Sequence, residues 1–285
     1  MKKFLSLSLI LLVGSLLRAE GSGADTIYST RADVEIFNKY IAYIQDKGNL
    51  STDQLVIETA KFFLETPYVA NTLEIEPEGL VINLRELDCT TFVENVFALT
   101  ITVKSGVLLF ENYCENLKKI RYRGGVIEDY TSRLHYSTDW IYDNEQRGIL
   151  KDVTRKAGAS RLDLNLYIMS KTPETYKQLK GRPDLVEKIV AKEKEISARK
   201  HYFIKAKRID RKWRRIKDGS MVGFVTTIPG IDLSHMAIVY HEGKKLTFIH
   251  ASSSGKKVMI NESTMGEFVM GSKRNTGIVL SAINF

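Results

Sequence analysis

The sequence predicts an α+β domain in which an antiparallel sheet packs against a helix. Segments with helical spacing of apolar residues dominate the first half of the chain, whereas β-type segments separated by turn signals dominate after residue 199. Helices first and antiparallel strands last are typical of this class. The length of 285 residues and the hydrophobic content of 44% are enough to build a substantial core.

The N-terminus has the organisation of a secretory signal peptide. Met1-Lys2-Lys3 is a charged n-region, residues 4–17 are predominantly apolar, and small residues follow up to Ala24. The apolar run is too short to span a membrane, and no later run reaches that length. We therefore expect a signal peptide over residues 1–24, no stable membrane insertion, and export to the periplasm or the medium. Residues 25–285 are expected to form a single domain.

The elements before residue 88 are mostly helical. Amphipathic patterns predict helices over residues 30–43 and 52–65, the second bounded by Ser51 and Pro67. Residues 73–87 indicate a loop and a short strand.

The second half of the chain contains the expected strands. Residues 112–144 are predicted to be rich in loops because Gly124-Gly125 and scattered aromatics interrupt any regular pattern. Alternating charges predict an exposed helix over residues 183–198. Segment 107–218 is longer than a minimal core requires, and we expect it to build the substrate-binding surface. β-type patterns predict strands over residues 221–228, 234–241, 245–251, 257–260 and 276–283.

Cys89 lies where a helix is expected to begin. Asp88 is a good N-cap residue, and from Phe92 onward apolar residues recur at helical spacing to about Gly106. Unpaired N–H groups and the helix dipole at such a position stabilise a thiolate. Cys89 is therefore a candidate nucleophile with a lowered pKa. The alternative is a small buried hydrophobic residue.

Two histidines are predicted to face each other on adjacent strands. Glu242-Gly243 is a two-residue turn signal between them, and this turn pairs His241 with Lys244 and His235 with His250. Directly opposed residues have Cβ atoms about 5 Å apart, so the imidazoles would be neighbours on one face of the sheet. A shift of the register by one residue would send them to opposite faces.

A cysteine at a helix start with two adjacent histidines is suited to thiol-based acyl transfer. One imidazole moves the thiol proton, and the second polar group fixes its tautomer. The same three side chains, Cys89, His235 and His250, could instead bind a zinc ion with water as the fourth ligand. A disulfide with Cys114, the other cysteine, is disfavoured because the intervening chain would have to return nearly fully extended along the helix.

These residues resemble a known family of enzymes. The segments 88–93, 234–239 and 249–252 are similar to the Cys-His-His pattern of NlpC/P60 cysteine peptidases. The segments 83–94 and 132–136 are more closely similar to the DUF1460 branch, whose members resemble N-acetylmuramoyl-L-alanine amidases.

The resemblance implies a papain-like core and the hydrolysis, without a cofactor, of the amide between N-acetylmuramic acid and L-alanine in peptidoglycan fragments. Cys89 would attack the carbonyl carbon, His235 would act as base and then acid, and His250 would orient His235. The backbone N–H of Cys89 is a natural oxyanion donor at the helix start. Residues 66–71 are similar to the family segment that carries a tyrosine near the cysteine, which implies an assisting role for Tyr68.

A segment after residue 130 carries candidates for substrate binding. Arg133 offers a charged fork for a carboxylate, and Tyr136 and Trp140 offer flat faces for a sugar. His135 and Asp139 add polar groups in the same segment. The alternative for all five residues is ordinary loop packing.

The net charge of +8 is concentrated over residues 199–217, which are rich in Lys and Arg. Basic residues with interleaved aromatics occur in nucleic-acid-binding proteins, but the export signal argues against nucleic acid as a partner. The segment is either a solvated face or a surface attracted to anionic cell-wall polymer.

Three alternatives to the amidase remain open from the sequence. The first is an endopeptidase that cuts γ-D-glutamyl bonds in the same stem peptide. The second is a zinc-binding hydrolase, and the third is a non-catalytic module that binds the cell wall.

Overall fold

The computed structural model describes residues 26–47 and 49–284. It combines helices with an antiparallel sheet in an α+β arrangement, as the sequence predicts. The predicted signal peptide, residues 1–24, lies outside the described residues. Among the described residues, no helix combines the length and the apolar character needed to cross a membrane.

Helices predominate in the first part of the described chain, and strands predominate in the last part. The α-helices are α1 (Arg31–Ile44), α2 (Thr52–Phe62), α3 (Cys89–Ser105), α4 (Phe110–Arg121), α5 (Ser137–Gln146), α6 (Ile168–Lys171), α7 (Pro183–Ala198) and α8 (Met265–Gly271). The strands are β1 (Ile27–Tyr28), β2 (Leu80–Val81), β3 (Leu150–Asp152), β4 (Ser160–Leu162), β5 (His201–Lys205), β6 (Met221–Thr226), β7 (Leu233–Glu242), β8 (Lys245–Ser252), β9 (Lys257–Ile260) and β10 (Asn275–Ile283). Short 3-10 turns lie at Gln45–Lys47, Arg123–Gly125, Tyr130–Ser132, Arg155–Ala157, Pro173–Thr175, Ala206–Arg208 and Asp210–Arg215.

The larger sheet has the strand order β4-β5-β10-β6-β7-β8-β9, and β3 also pairs with β10. Its strand pairs are antiparallel throughout. β1 and β2 form a separate, small parallel pair. The sheet therefore places β7 and β8, the strands that carry the two predicted histidines, side by side.

Helix α3 packs against one face of this sheet. Met236 and Ile238 of β7 and Ile249 of β8 share a buried core with Phe92 and Val96 of α3. The alternation of side chains along a strand sends the residues between them to the other face.

The opposite face of the sheet has a core of its own. Val239 and Phe248 pack there with Val269 of α8 and with Ile209 and Ile216, which belong to the basic segment. The basic segment is thus a layer that covers the sheet, with its isoleucines directed inward.

The ends of α3 follow the signals in the sequence. The backbone N–H of Thr91 donates to Asp88 Oδ1 at 2.8 Å, and the N–H of Asp88 donates to Thr91 Oγ1 at 2.9 Å. Gly106 follows the last residue with a φ of 74°, the left-handed conformation that ends many helices and favours glycine. The prediction that Cys89 is the first helical residue is confirmed.

The predicted hairpin between β7 and β8 is confirmed, but its predicted register is wrong. Glu242 pairs with Lys245 and His241 pairs with Leu246, so the turn residues are Gly243 and Lys244. Gly243 has a φ of 63°, as the first central position of a type II′ turn requires. Each residue of β7 pairs two positions further along β8 than predicted, as His241 does with Leu246 instead of Lys244. A shift of two residues preserves the alternation of side chains, so the two histidines still share a face.

The prediction that residues 112–144 are mostly loop is wrong. Helix α4 buries Tyr113, Cys114, Leu117 and Ile120, which recur at helical spacing. Helix α5 follows and buries Trp140.

A third core joins the middle of the chain to the rest. Tyr130, Tyr136 and Met169 pack with Leu185 and Ile189 of α7. This cluster fixes the segment between α5 and α7 next to the beginning of β7, where the candidate site lies.

Candidate active site

Cys89 lies where the start of α3 meets the start of β7, and it lines the same cavity as His235. Burial and then the neighbouring Asp88 carboxylate raise the pKa of Cys89 to about 11, and contacts with the Met236 backbone and the Thr90 side chain oppose this shift. The expectation of a lowered pKa is therefore wrong for this state. Removal from water outweighs the helix start, and Cys89 is a neutral thiol near pH 7.

His235 and His250 are in direct contact. Nε2 of His235 lies 2.8 Å from Nδ1 of His250. The predicted proximity is confirmed, although the observed register places His250 diagonally from His235 rather than directly opposite. Phe224, the partner of His235 on β6, and Phe248 pack against the two imidazoles.

The histidine pair is uncharged at neutral pH. Burial and the neighbouring His250 lower the pKa of His235 to about 3, and burial lowers the pKa of His250 to about 4. When Nε2–H of His235 donates to His250, Nδ1 of His235 retains its lone pair. This tautomer leaves one ring nitrogen free to accept a proton.

A cavity of about 280 Å³ opens over Cys89. It is lined by Cys89, Thr90, His135, Tyr136, Ser137, Ile168, Met169, Tyr176, Ile231, Asp232, Leu233, Ser234, His235 and Met236. Side chains from segment 107–218 form one wall of the cavity.

Tyr68 lies close to the start of α3. It pairs with Leu87, two residues before Cys89, and its N–H donates to the Lys256 carbonyl at 2.9 Å. Burial, and then the nearby Cys89 and Asp88, raise the pKa of the Tyr68 hydroxyl. Tyr68 is thus near Cys89, as expected, but it does not line the cavity.

The backbone at the start of α3 has a free donor. The N–H groups of Thr91 and Phe92 donate to Asp88. In the part of the chain that the structure describes, the N–H of Cys89 donates to no backbone carbonyl, and its own thiol is the acceptor beside it. It is available to an oxyanion formed next to the thiol.

Arg133 does not reach the cavity, and its predicted role in gripping a substrate carboxylate is wrong. Its guanidinium donates to Glu78 at 2.9–3.1 Å, to Glu74 at 2.8 Å and to the Leu73 carbonyl at 3.2 Å. Its side chain is only 8% exposed. The acidic residues that accept these bonds are distant in sequence, so no local pattern around Arg133 reveals them.

Asp139 and Trp140 are also structural residues rather than substrate contacts. Arg123 and Arg199 each donate to Asp139 at 2.6 Å. Trp140 is buried and packs near Phe97 of α3. These two positions on α5 point into the protein, which corrects their predicted roles.

His135 and Tyr136, two of the predicted substrate-binding residues, line the cavity. The His135 Nε2 lies 2.8 Å from the Tyr130 carbonyl, and burial lowers the pKa of its imidazole to about 3. The Tyr136 hydroxyl donates to Glu193 of α7 at 2.7 Å. Both are therefore neutral side chains held in fixed orientations.

Asp232 is a residue of the cavity wall that the sequence analysis missed. Its Oδ2 accepts hydrogen bonds from the backbone N–H of Thr138 at 2.7 Å and from the Thr138 hydroxyl at 2.8 Å. Oδ1 accepts from the Leu233 N–H at 2.7 Å. Asp232 thus joins the start of α5 to the strand that carries His235.

The zinc alternative has no further support in the geometry. Among the described residues, no group of three or more His, Cys, Asp or Glu side chains is arranged to hold a metal ion. The facing nitrogens of His235 and His250 are hydrogen-bonded to each other.

Comparison with known proteins shows the family to which this chain belongs. Residues 58–278 match the model of the AmiA-like family, described as N-acetylmuramoyl-L-alanine amidase-like. A solved N-acetylmuramoyl-L-alanine amidase from Bacteroides uniformis is 36% identical, covers 82% of this chain and 99% of its own, and superposes with a TM-score of 0.79. No curated protein matched the chain.

Two further solved structures are similar. A Bacteroides fragilis protein proposed to be a xylanase is 36% identical, with a TM-score of 0.76 and coverage of 79% of this chain and 99% of its own. A Legionella pneumophila protein of the DUF1460 family is 19% identical over 90% of this chain and 95% of its own, with a TM-score of 0.65, which shows the shared fold. The family match covers most of the chain, and the chain therefore belongs to the AmiA-like family of N-acetylmuramoyl-L-alanine amidase-like proteins.

Proposed function

We propose that this protein is a cysteine amidase that cleaves the bond between N-acetylmuramic acid and L-alanine in peptidoglycan fragments. The observation that carries the proposal is the cavity that brings Cys89 at a helix start together with His235, which is itself bonded to His250. We place the activity in one domain over residues 25–285 with a papain-like, NlpC/P60-type core. Its substrate lies outside the cytoplasm, which agrees with the predicted signal peptide.

In the proposed reaction, Cys89 Sγ attacks the lactyl carbonyl carbon of muramic acid while Nδ1 of His235 accepts the thiol proton. The oxyanion receives a hydrogen bond from the Cys89 N–H. His235 then protonates the leaving amine of L-alanine, and a thioester forms on Cys89. Water, deprotonated by His235, hydrolyses the thioester and restores the thiol.

The charge of the cavity favours the amidase over the γ-D-glutamyl endopeptidase. Among the described residues that line it, none is Lys or Arg, and burial raises the pKa of its one acidic residue, Asp232. An endopeptidase would have to place the α-carboxylate of D-glutamate beside the scissile bond, where a cation is the favoured partner. In the amidase reaction, the groups beside the scissile bond are the neutral methyl group of L-alanine and a sugar, and neither requires a cation.

The same lining argues against a glycosidase, the activity proposed for the Bacteroides fragilis neighbour. Glycoside hydrolysis ordinarily requires a pair of carboxylates flanking the bond. Asp232 is the one Asp or Glu among the described residues of this cavity, and both of its oxygens already accept hydrogen bonds.

The proposal is tested by mass spectrometry of the products from a defined muropeptide. The expected products are a free muramyl sugar and an intact stem peptide that begins with L-alanine. Cys89→Ala should abolish turnover, and Cys114→Ala, which removes the other thiol, should not. Release of a sugar that still carries L-Ala-γ-D-Glu would instead establish the endopeptidase.

A further inference from the structure

A dense positive surface covers the sheet on the side away from α3. Residues 205–217 contain eight Lys and Arg residues, of which Lys212 is half-buried and the others are exposed. Within the described part of the chain, none of the eight forms an ion pair with a carboxylate. Unpaired surface cations at this density repel one another, which is costly unless a partner uses them.

The acidic residues nearby are engaged elsewhere. Asp210 accepts hydrogen bonds from the Thr264 hydroxyl at 2.9 Å and the Gly266 N–H at 3.0 Å. Asp218 accepts from the backbone N–H and from the imidazole Nδ1 of His241, each at 2.7 Å. Neither carboxylate neutralises the outer side of the segment.

A second basic segment lies beside the first. Lys212 Nζ lies directly against Gly158, and Arg215 Nη1 lies 4.0 Å from the position that a Cβ on Gly158 would take. Arg155 and Lys156, which are separated from this glycine by Ala157, are exposed. We define the basic surface as the Lys and Arg residues of 155–156 and 205–217. It therefore extends across two neighbouring segments of the chain.

The surface is suited to lie on a charged plane without inserting into it. The exposed large apolar side chains of the described chain all fall outside the two basic segments. No residue of the basic surface lines the cavity over Cys89, so contact there leaves the cavity free.

We propose that this basic surface docks the enzyme electrostatically on a membrane rich in anionic phospholipid. An anionic bilayer is a negatively charged plane, and the basic surface is a positively charged area of the protein that can lie on it. Each Lys or Arg near such a membrane strengthens binding about 5-fold. This docking proposal is separate from the proposed catalysis, because it does not depend on which bond the enzyme cleaves.

Co-sedimentation with vesicles tests the proposal. The protein should bind vesicles of equal parts phosphatidylglycerol and phosphatidylcholine, should not bind pure phosphatidylcholine, and should be released by salt. Replacing Lys207, Arg208, Arg211 and Arg215 together by Gln should weaken binding several hundred-fold. A matched control changes four exposed cations elsewhere, Lys39, Lys104, Lys171 and Lys194, to Gln.

The control has the same net charge as the test variant, so it separates a local surface from total charge. It should retain binding within a few-fold, and both variants should unfold at the midpoint of the parent protein. Equal loss of binding in the two variants would overturn the proposal. So would binding that is equally strong on uncharged vesicles, or binding to soluble dextran sulfate with none to the vesicles.

Discussion

Two physical influences act in opposite directions on the pKa of the Cys89 thiol. The helix start favours a thiolate, whereas removal from water and the Asp88 carboxylate favour the thiol, and the thiol prevails. Beside it, the low pKa of His235 keeps the imidazole neutral. In the proposed reaction the proton therefore moves as the sulfur attacks. The attraction between the thiolate and imidazolium formed together offsets part of the cost of charging each alone.

Alkylation measures the state of this thiol. In a Cys114→Ala background, the rate of reaction of Cys89 with iodoacetamide should keep rising with pH from 6 to above 9, because only the thiolate reacts and its pKa is raised. Asp88→Asn removes the nearby negative charge yet keeps an oxygen to cap α3, so labelling at pH 8 should be about 3- to 10-fold faster. A rate that is already constant below pH 7 would show a low-pKa thiolate instead.

At the scale of elements, α5 shows how a helix can be capped by a distant residue. The side chain of Tyr136, which precedes α5, makes no capping hydrogen bond to the helix, whereas Asp232 accepts from the Thr138 N–H although it is 94 positions away. The cap also fixes the beginning of β7, and with it His235. The start of α5 and the histidine are thus held by one carboxylate.

The cap can be tested with a double-mutant cycle. Asp232→Ala should lower the free energy of unfolding by about 1–3 kcal/mol, because it leaves the buried N–H of Thr138 without an acceptor. Combining it with Thr138→Ala should reveal a coupling of at least about 0.5 kcal/mol by urea unfolding. Strict additivity of the two changes would contradict the bond between the Thr138 hydroxyl and Asp232, and unchanged stability of Asp232→Ala would contradict the cap.

The helices and strands whose ends are marked by nearby capping or turn residues were predictable from the sequence. Elements that depend on distant residues were not. Asp88 and Gly106 mark both ends of α3 within its own sequence, and the β7–β8 hairpin follows from alternation and a glycine turn. The exact register depended on which turn position Gly243 occupies, which the dipeptide alone does not specify. Helix α5 was missed because its cap comes from Asp232 rather than from a neighbour.

The same distinction applies to the candidate site. The proximity of Cys89, His235 and His250 was predictable because each lies in a recognisable local context. Arg133 was misassigned because its carboxylate partners lie 55 and 59 residues away, and nothing near it in sequence shows that they occupy its guanidinium.

At the scale of the whole molecule, buried ion pairs join the N-terminal half to the helices of the middle segment. Arg121 donates to Glu94 at 2.7 Å and to the Val81 carbonyl at 2.6 Å, within the core between α3 and α4. Arg133 similarly binds the loop that contains Glu74 and Glu78. Such pairs tie distant segments together, and loss of one partner leaves the other charge buried.

Arg133→Ala should therefore act on stability rather than on substrate binding. We expect a loss of about 3–5 kcal/mol in the free energy of unfolding, because Glu78 would remain buried without its partner. Chemical unfolding measures this, with Arg182→Ala, which removes an exposed ion pair with Asp184, as a control that should change little. A variant of unchanged stability with a large loss of kcat/KM would restore the role in substrate binding.

The central claim is that Cys89 attacks the lactyl carbonyl of muramic acid, and trapping the acyl-enzyme tests it most directly. A muropeptide is mixed with the protein, the reaction is quenched in acid within the first turnover, and the intact protein is weighed by mass spectrometry, with peptide mapping to locate the adduct. The account predicts a thioester on Cys89 whose added mass is that of the muramyl sugar alone. An adduct on another residue, or one that still contains L-Ala-γ-D-Glu, would contradict it.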